Sequence, residues 1–294
     1  MMTQADALKD VLPRLVVYYQ THHDKSDKPI SILPLLQPGI SVSHVILAAI
    51  HINEDPNAIT LNDHAPDHQR NSTLWSELST LQACEVKVMG MLGGAAKGSY
   101  ARLDGSDKQF EQYYVPLRDF VRQRNFDGLD LCVEEKMSLS GILRLIDRLK
   151  SDFGQDFIIS LAPVAAAMLD PTKNLSGFSY MDLESARGSD IAWYNMQFYC
   201  GWGDISNTYM YDFMVQMGWN PEKLVVGMVT NPETGSGFVP WEALSPVLFS
   251  LTRKHRRFGG VMCWEYFNSL PGDIHQPWEW ARNMTLHIRS ADLI

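Results

Sequence analysis

Asn125-Phe126-Asp127-Gly128-Leu129-Asp130-Leu131-Cys132-Val133-Glu134 carries the densest pattern in this sequence. In an extended chain successive side chains point to opposite faces. Asp130, Cys132 and Glu134 then share one face, and Leu129, Leu131 and Val133 share the other. Asp127 opens the run, and Gly128 permits close backbone packing. The leucine face asks to be covered by helices. The opposite face presents two carboxylates and a thiol, which are costly to bury without purpose. A polar network filling one layer of a barrel is one reading, although such layers usually favour branched apolar residues. A functional site at the end of a strand is the other.

Outward from this segment, short apolar runs recur along the chain at residues 14–20, 42–52, 85–93, 128–133, 157–162, 191–198, 224–229 and 259–264. Most are nearly continuous in apolar character, the pattern of parallel strands covered on both faces. Helical periodicity lies between them at 107–124, 138–153, 207–217, 241–255 and 278–290. Phe110, Tyr113, Tyr114, Leu117, Phe120 and Val121 form one stripe, and Ile142, Leu145, Ile146 and Leu149 another, with Ser138 as cap and Gly154 as stop. Pro29, Pro34 and Pro38 allow little helix in the first crossover, 25–39. With no linker or composition break, the alternation predicts an α/β fold: a single (β/α)₈ TIM barrel over residues 1–294, a doubly wound sheet being the competitor. Barrel chemistry sits at the C-terminal ends of strands, so polar residues that end the apolar runs are the functional candidates.

Hydrophobic residues are 45% and charged residues 20%, ordinary for a globular protein. A net charge of −9 and a pI near 5.4 argue against nucleic acid or an anionic membrane as partner. A neutral small molecule, a glycan or a protein stays open. Met1 to Asp10 has no apolar core behind a basic start, and no apolar run is long enough to span a bilayer, so a cytoplasmic protein is expected. Cys84, Cys132, Cys200 and Cys263 are widely spaced, and Cys84 and Cys263 read as buried reduced thiols. The sequons at Asn71, Asn174 and Asn283 read as coincidental in that setting.

The segment around Glu134 resembles the fourth-strand motif of glycoside hydrolase family 18, whose chitinases and endo-β-N-acetylglucosaminidases carry D-G-x-D-x-D-x-E. It matches at Asp127, Gly128, Asp130 and Glu134, and departs at Cys132, where the family has aspartate. Residues 85–94, ending in Gly93-Gly94, look like the third-strand S-x-G-G segment with Met91 in the serine position. Met196-Gln197-Phe198-Tyr199 resembles the sixth-strand segment of plant-type members, and Trp264 stands where the family's eighth strand places a tryptophan.

The resemblance implies substrate-assisted hydrolysis of β-1,4 bonds after N-acetylglucosamine, with the acetamido carbonyl as nucleophile and retention of configuration. Glu134 would be the acid, with Asp130, Cys132 and Tyr199 completing the catalytic group. Trp264, Tyr18, Gly93, Gly94, Asp127, Met196 and Gln197 would contact substrate. No metal and no cofactor is implied. The partner would be an N-acetylglucosamine-containing glycan, or another small molecule, in the barrel mouth.

Cys132 changes the electrostatics. A neutral thiol is a weak donor and acceptor, and ionising it beside Glu134 and Asp130 is opposed by like charge. Losing one preorganised electrostatic partner commonly costs on the order of 10²–10³ in rate, so the glycosidase is expected to be weakened.

Other polar residues have simpler readings. His22, His23 and His51 fall near strand ends without the convergent spacing of metal ligands, His22, His23 and Asp24 reading instead as polar contacts in the cleft, and Glu135 and Lys136 read as a solvated loop pair. Gly90, Gly93, Gly94 and Gly98 fit a tight turn better than a phosphate loop, because no P-loop lysine follows. Tyr194, Trp202 and Trp241 are candidates for stacking on sugar or for core packing. Three function classes follow: a chitinase or endo-β-N-acetylglucosaminidase, a catalytically silent barrel that binds sugar or protein, and a barrel recruited to other chemistry through Glu134.

Overall fold

A computed structural model describes residues 12–289. Eight parallel strands close into a barrel: β1 (Arg14–Tyr19), β2 (His44–His51), β4 (Lys87–Gly93), β5 (Gly128–Cys132), β6 (Ile158–Leu161), β7 (Trp193–Gln197), β8 (Leu224–Val229) and β9 (Gly260–Trp264). They run in the order β1-β9-β8-β7-β6-β5-β4-β2, and β1 pairs with β2 to close the ring. The two-residue strand β3 (Thr60–Leu61) turns back antiparallel on β2, placing His51 opposite Thr60. No run of apolar residues announces so short a hairpin.

Strand alternation sorts the core into two layers. Leu129, Leu131 and Val133 join the large cluster between strands and helices, as their shared face requires. Cys132 points inward with Val16, Tyr18, Ile46, Met89, Trp193 and Met262. Around the ring lie α1 (Ser72–Ala83), α2 (Ser99–Leu103), α3 (Asp107–Gln123), α4 (Leu139–Phe153), α5 (Tyr180–Arg187), α6 (Tyr209–Gln216), α7 (Trp241–Lys254) and α8 (Trp278–Ile288). Ser138 accepts a hydrogen bond from the Gly141 amide and starts α4, and Gly154 ends it with φ +87°. The proline-rich first crossover holds only a 3₁₀ turn, Leu33–Leu36.

Several boundaries move. The third strand begins at Lys87, because Glu85 takes φ +65° in the turn that leaves α1. Helices α1 and α5 escape the periodicity reading, although Leu74, Leu78 and Leu81 form a buried stripe at 3–4-residue spacing. Cys84, expected to be buried, caps α1 in an exposed position, whereas Cys263 is buried on β9. Ser290 lies outside the described residues, as do Met1 to Asp10. Among the described residues, no helix is long and apolar enough to cross a membrane.

Candidate active site

A cavity of about 470 Å³ opens at the C-terminal end of the barrel, within the range usual for small-molecule sites. It brings together Tyr18 from β1, Gly93 at the end of β4 with Gly94 after it, Cys132 at the end of β5 with Glu134 just past it, Gln197 at the end of β7 with Tyr199 just past it, and Trp264 from β9. Five segments far apart in sequence thus meet at one point.

Glu134 is half-buried, and its Oε1 is held on two sides. The Cys132 thiol donates to it at 3.3 Å and the Gln197 amide at 3.1 Å. Gln197 is itself fixed by a 3.0 Å bond to the Ala162 carbonyl. Oε2 accepts nothing from the described residues and is left to face the cavity's contents. Burial, then the nearby Glu134 and Asp130 carboxylates, push the Cys132 thiol well above its ordinary value, so it stays a neutral S–H. Burial chiefly, aided by Cys132 and Glu134, likewise keeps the Tyr199 phenol protonated. That hydroxyl bonds to no described residue and remains free as a donor to a ligand. Trp264 presents its indole to the cavity, braced edge-on by Tyr18 with ring centroids 5.6 Å apart.

Three of the expected site residues do not line the cavity. Asp130 lies one layer below the cavity floor, fully buried. Its Oδ2 accepts from Tyr18 at 2.7 Å, and its Oδ1 from Ser160 at 2.6 Å and Asn195 at 3.0 Å. Asn195 also donates to the Tyr18 hydroxyl and accepts from the Trp193 indole. Burial raises the Asp130 pKa against the pull of these donors. The polar network in the barrel layer is therefore real for Asp130, which supports Tyr18 and β5 and does not line the cavity. Asp127 sits at the opposite, N-terminal end of β5. Its carboxylate accepts from the Val88 amide at 2.8 Å, Gln82 at 3.0 Å and Lys87 at 3.2 Å. Its place before the strand, at the end opposite the cavity, keeps it off the cavity wall. Met196 points outward into the helix-facing core, because it is one residue out of phase with Gln197.

Asp127→Ala should therefore cost stability and leave ligand binding intact. A carboxylate that satisfies a backbone amide in a partly buried setting is worth roughly 1–3 kcal/mol. A denaturant melt beside a ligand titration measures both, and lost affinity at unchanged stability would return Asp127 to the site.

Gly93 and Gly94 adopt φ +87° and +95°, and a Cβ on Gly93 would lie 2.7 Å from the Cys132 carbonyl oxygen. They form the tight turn anticipated. Glu135 is not a solvated loop residue. It is buried and accepts from the Gly98 and Tyr100 amides at 2.8–2.9 Å, tying down the loop that forms one rim. Lys136 is exposed. His51 and Trp202 line the cavity, while Tyr194 is core and Trp241 packs on His287 outside the barrel. His22 is buried beside the Tyr19 carbonyl, and burial lowers its pKa to about 4. Among the described residues no group of three or more potential ligands is placed to hold a metal.

Sequence reading missed Glu265. It is buried, and it accepts from the Gln20 and Thr21 amides and the Thr21 hydroxyl at 2.8–3.0 Å, fixing the loop after β1 to β9. Its signal was available: a carboxylate directly after the eighth apolar run. Ser160 and Asn195 were also missed, and each interrupts an otherwise apolar strand.

Comparison with known proteins agrees with this geometry. The chain superposes on a fungal endo-β-N-acetylglucosaminidase of glycosyl hydrolase family 18 with a TM-score of 0.91 and 49% identity, covering 95% of this chain and 99% of that one. It superposes on the chitinase ChiC of Aspergillus fumigatus with a TM-score of 0.86 and 54% identity, covering 93% and 98% respectively. Chitinase 2 of Rhizopus oligosporus is 28% identical over 65% of this chain and 36% of its own length. The chain thus matches well under half the length of the curated Rhizopus chitinases. Residues 14–236 match Glycosyl hydrolases family 18, and with the barrel and the position of Glu134 this establishes that the chain belongs to that family.

Proposed function

We propose that the cavity hydrolyses the β-1,4 bond following an N-acetylglucosamine unit, slowly, with Glu134 as acid and base. The observation that carries this reading is the asymmetry of Glu134. Two donors fix Oε1, and Oε2 is free to hold a proton toward a leaving oxygen. The acetamido carbonyl oxygen of the bound sugar attacks the anomeric carbon as the glycosidic bond breaks. The Glu134 proton goes to the departing oxygen. Water then opens the oxazoline at the same carbon, returning a proton to Glu134 and giving net retention. Tyr199 donates to the acetamido oxygen and orients it for attack. Trp264 offers an apolar face to the sugar ring.

The positive charge that develops on the acetamido group has no fixed anion beside it. Cys132 occupies that place as a neutral thiol, and Asp130 is a layer below. A slow glycosidase is the consequence, and a sugar-binding barrel without turnover is its limiting form. Incubating the purified chain with chitotetraose and a high-mannose glycopeptide, and separating the products, tests the reading. Slow release of N-acetylglucosamine-ended fragments is expected. Neither cleavage nor binding of either compound overturns it.

The tryptophan gives a separate check. Trp264→Ala should weaken binding of chitobiose by about tenfold, since truncating a central aromatic anchor commonly removes more than 1 kcal/mol. Calorimetric titration reads the change. Equal affinity in both proteins would make Trp264 mere packing.

A further inference from the structure

Where a carboxylate beside Glu134 would offer only charge, a thiol offers a nucleophile. Cys132 lines the cavity, and its S–H donates to Glu134 Oε1 at 3.3 Å. Gln197 donates to the same oxygen at 3.1 Å and to the Ala162 carbonyl at 3.0 Å, which holds the carboxylate beside the sulfur. A nucleophile within hydrogen-bond reach of a base, with the base oriented by a third side chain, is the arrangement that covalent catalysis uses.

A second group in the same cavity points the same way. Tyr199 is only 7% exposed, it lines the cavity, and its hydroxyl bonds to no described residue. A buried donor left unpaired beside a reacting centre suits the oxygen that gains negative charge when a carbonyl is attacked. The thiol is kept protonated by burial and by the Glu134 and Asp130 carboxylates. It therefore reacts by passing its proton to Glu134 as the new bond forms, not from a standing thiolate.

We propose that Cys132, Glu134 and Gln197 form a nucleophile, base and orienting triad that removes the acetyl group of an N-acetylated amino sugar. The Cys132 sulfur attacks the acetamido carbonyl carbon while its proton passes to Glu134 Oε1. Tyr199 donates to the carbonyl oxygen as it becomes negative. The C–N bond then breaks, Glu134 gives its proton to the departing amine, and the acetyl group stays on sulfur as a thioester. Water attacks the thioester and yields a proton to Glu134. The C–S bond breaks, acetate leaves, and Glu134 returns the proton to sulfur. The sum is one water added across the amide bond, with no other reactant.

Deacetylation starts from the ionised Glu134 and glycosidic cleavage from the protonated one, so the same side chains serve both reactions. The triad stands on the protein's own geometry. The choice of an acetamido group as its target rests on the sugar-binding part of the glycosidase reading above, in which that group lies beside Cys132 and Tyr199.

For the test, the exposed thiols Cys84 and Cys200 are changed to serine, so that the buried Cys132 and Cys263 remain. This protein is treated with p-nitrophenyl acetate and its peptides are mapped for acetyl groups. Separately, it is incubated with chitotetraose while acetate is measured. The expected result is a burst of nitrophenolate, an acetyl group on the Cys132 peptide, and acetate released from the sugar. Cys132→Ala should abolish all three, and Glu134→Gln should slow acylation by about a hundredfold or more, the usual contribution of a general base. The peptide map needs no active-site variant, so it holds whether or not the variants fold. Acetyl groups only elsewhere, or acylation as fast in a folded Glu134→Gln protein, overturn the triad. An acetylated Cys132 with no acetate from chitotetraose overturns the amino sugar as its substrate. Shortened chitooligosaccharides, scored in the same incubations, judge the glycosidase reading independently.

Discussion

Glu134→Gln should reduce hydrolysis of an N-acetylglucosaminide to background while the protein stays folded and still binds ligand. The amide replaces the carboxylate with a group of nearly the same shape. Its oxygen still accepts from Gln197 and from the Cys132 thiol, so the bonds that fix Glu134 at 3.1 and 3.3 Å are preserved. What is lost is the exchangeable proton at the second oxygen. General acid catalysis typically contributes 10²–10⁴ in rate, and a site already short of an anion has little activity left after such a loss. The leaving group sharpens the test. A sugar alcohol departs only with a proton, whereas a nitrophenolate departs without one. The loss should therefore be much larger on a chitooligosaccharide than on its nitrophenyl glycoside. Equal losses on both would mean that Glu134 does not protonate the leaving oxygen, and full retained activity would remove it from the mechanism.

The barrel was legible because its strands are apolar on both faces, a pattern that only a doubly covered parallel sheet requires. The site was legible where a residue's phase along a strand decides its direction. Alternation put Cys132 inward and Leu131 outward, and both stand so. The same rule misplaced nothing when it was applied. Met196 and Asp127 were assigned to the ligand from the motif they belong to, although phase turns Met196 outward and position puts Asp127 at the far end of the barrel. Asp130 shows a different limit. Its phase is inward, but depth along the strand decides whether an inward residue meets ligand or other side chains, and depth depends on the register with neighbouring strands. Asp130 is level with Ser160 on β6, which is fully buried and likewise off the cavity wall. Contacts such as Glu135 with the Gly98 amide, or Asn62 with Gln20, join segments whose approach no local pattern encodes.

Cys132→Asp should raise hydrolysis of an N-acetylglucosaminide by one to three powers of ten, corresponding to roughly 1.4–4 kcal/mol for one electrostatic partner. The site is built to receive the change. Gln197 stands 3.9 Å from the Cys132 sulfur and would donate to a carboxylate there. Asp130 below is already satisfied by Tyr18, Ser160 and Asn195, so its network need not rearrange. The new carboxylate would accept from the acetamido N–H and balance the charge that forms as the oxazoline closes. A second buried charge lowers stability, so thermal melts of both proteins must accompany the rates. Assaying the two proteins on the same chitooligosaccharide and glycopeptide decides the matter. A gain in rate identifies Cys132 as what slows the enzyme. No gain on either substrate from a folded variant would count against the glycosidase reading itself, because every other part of the site would then be in place without effect.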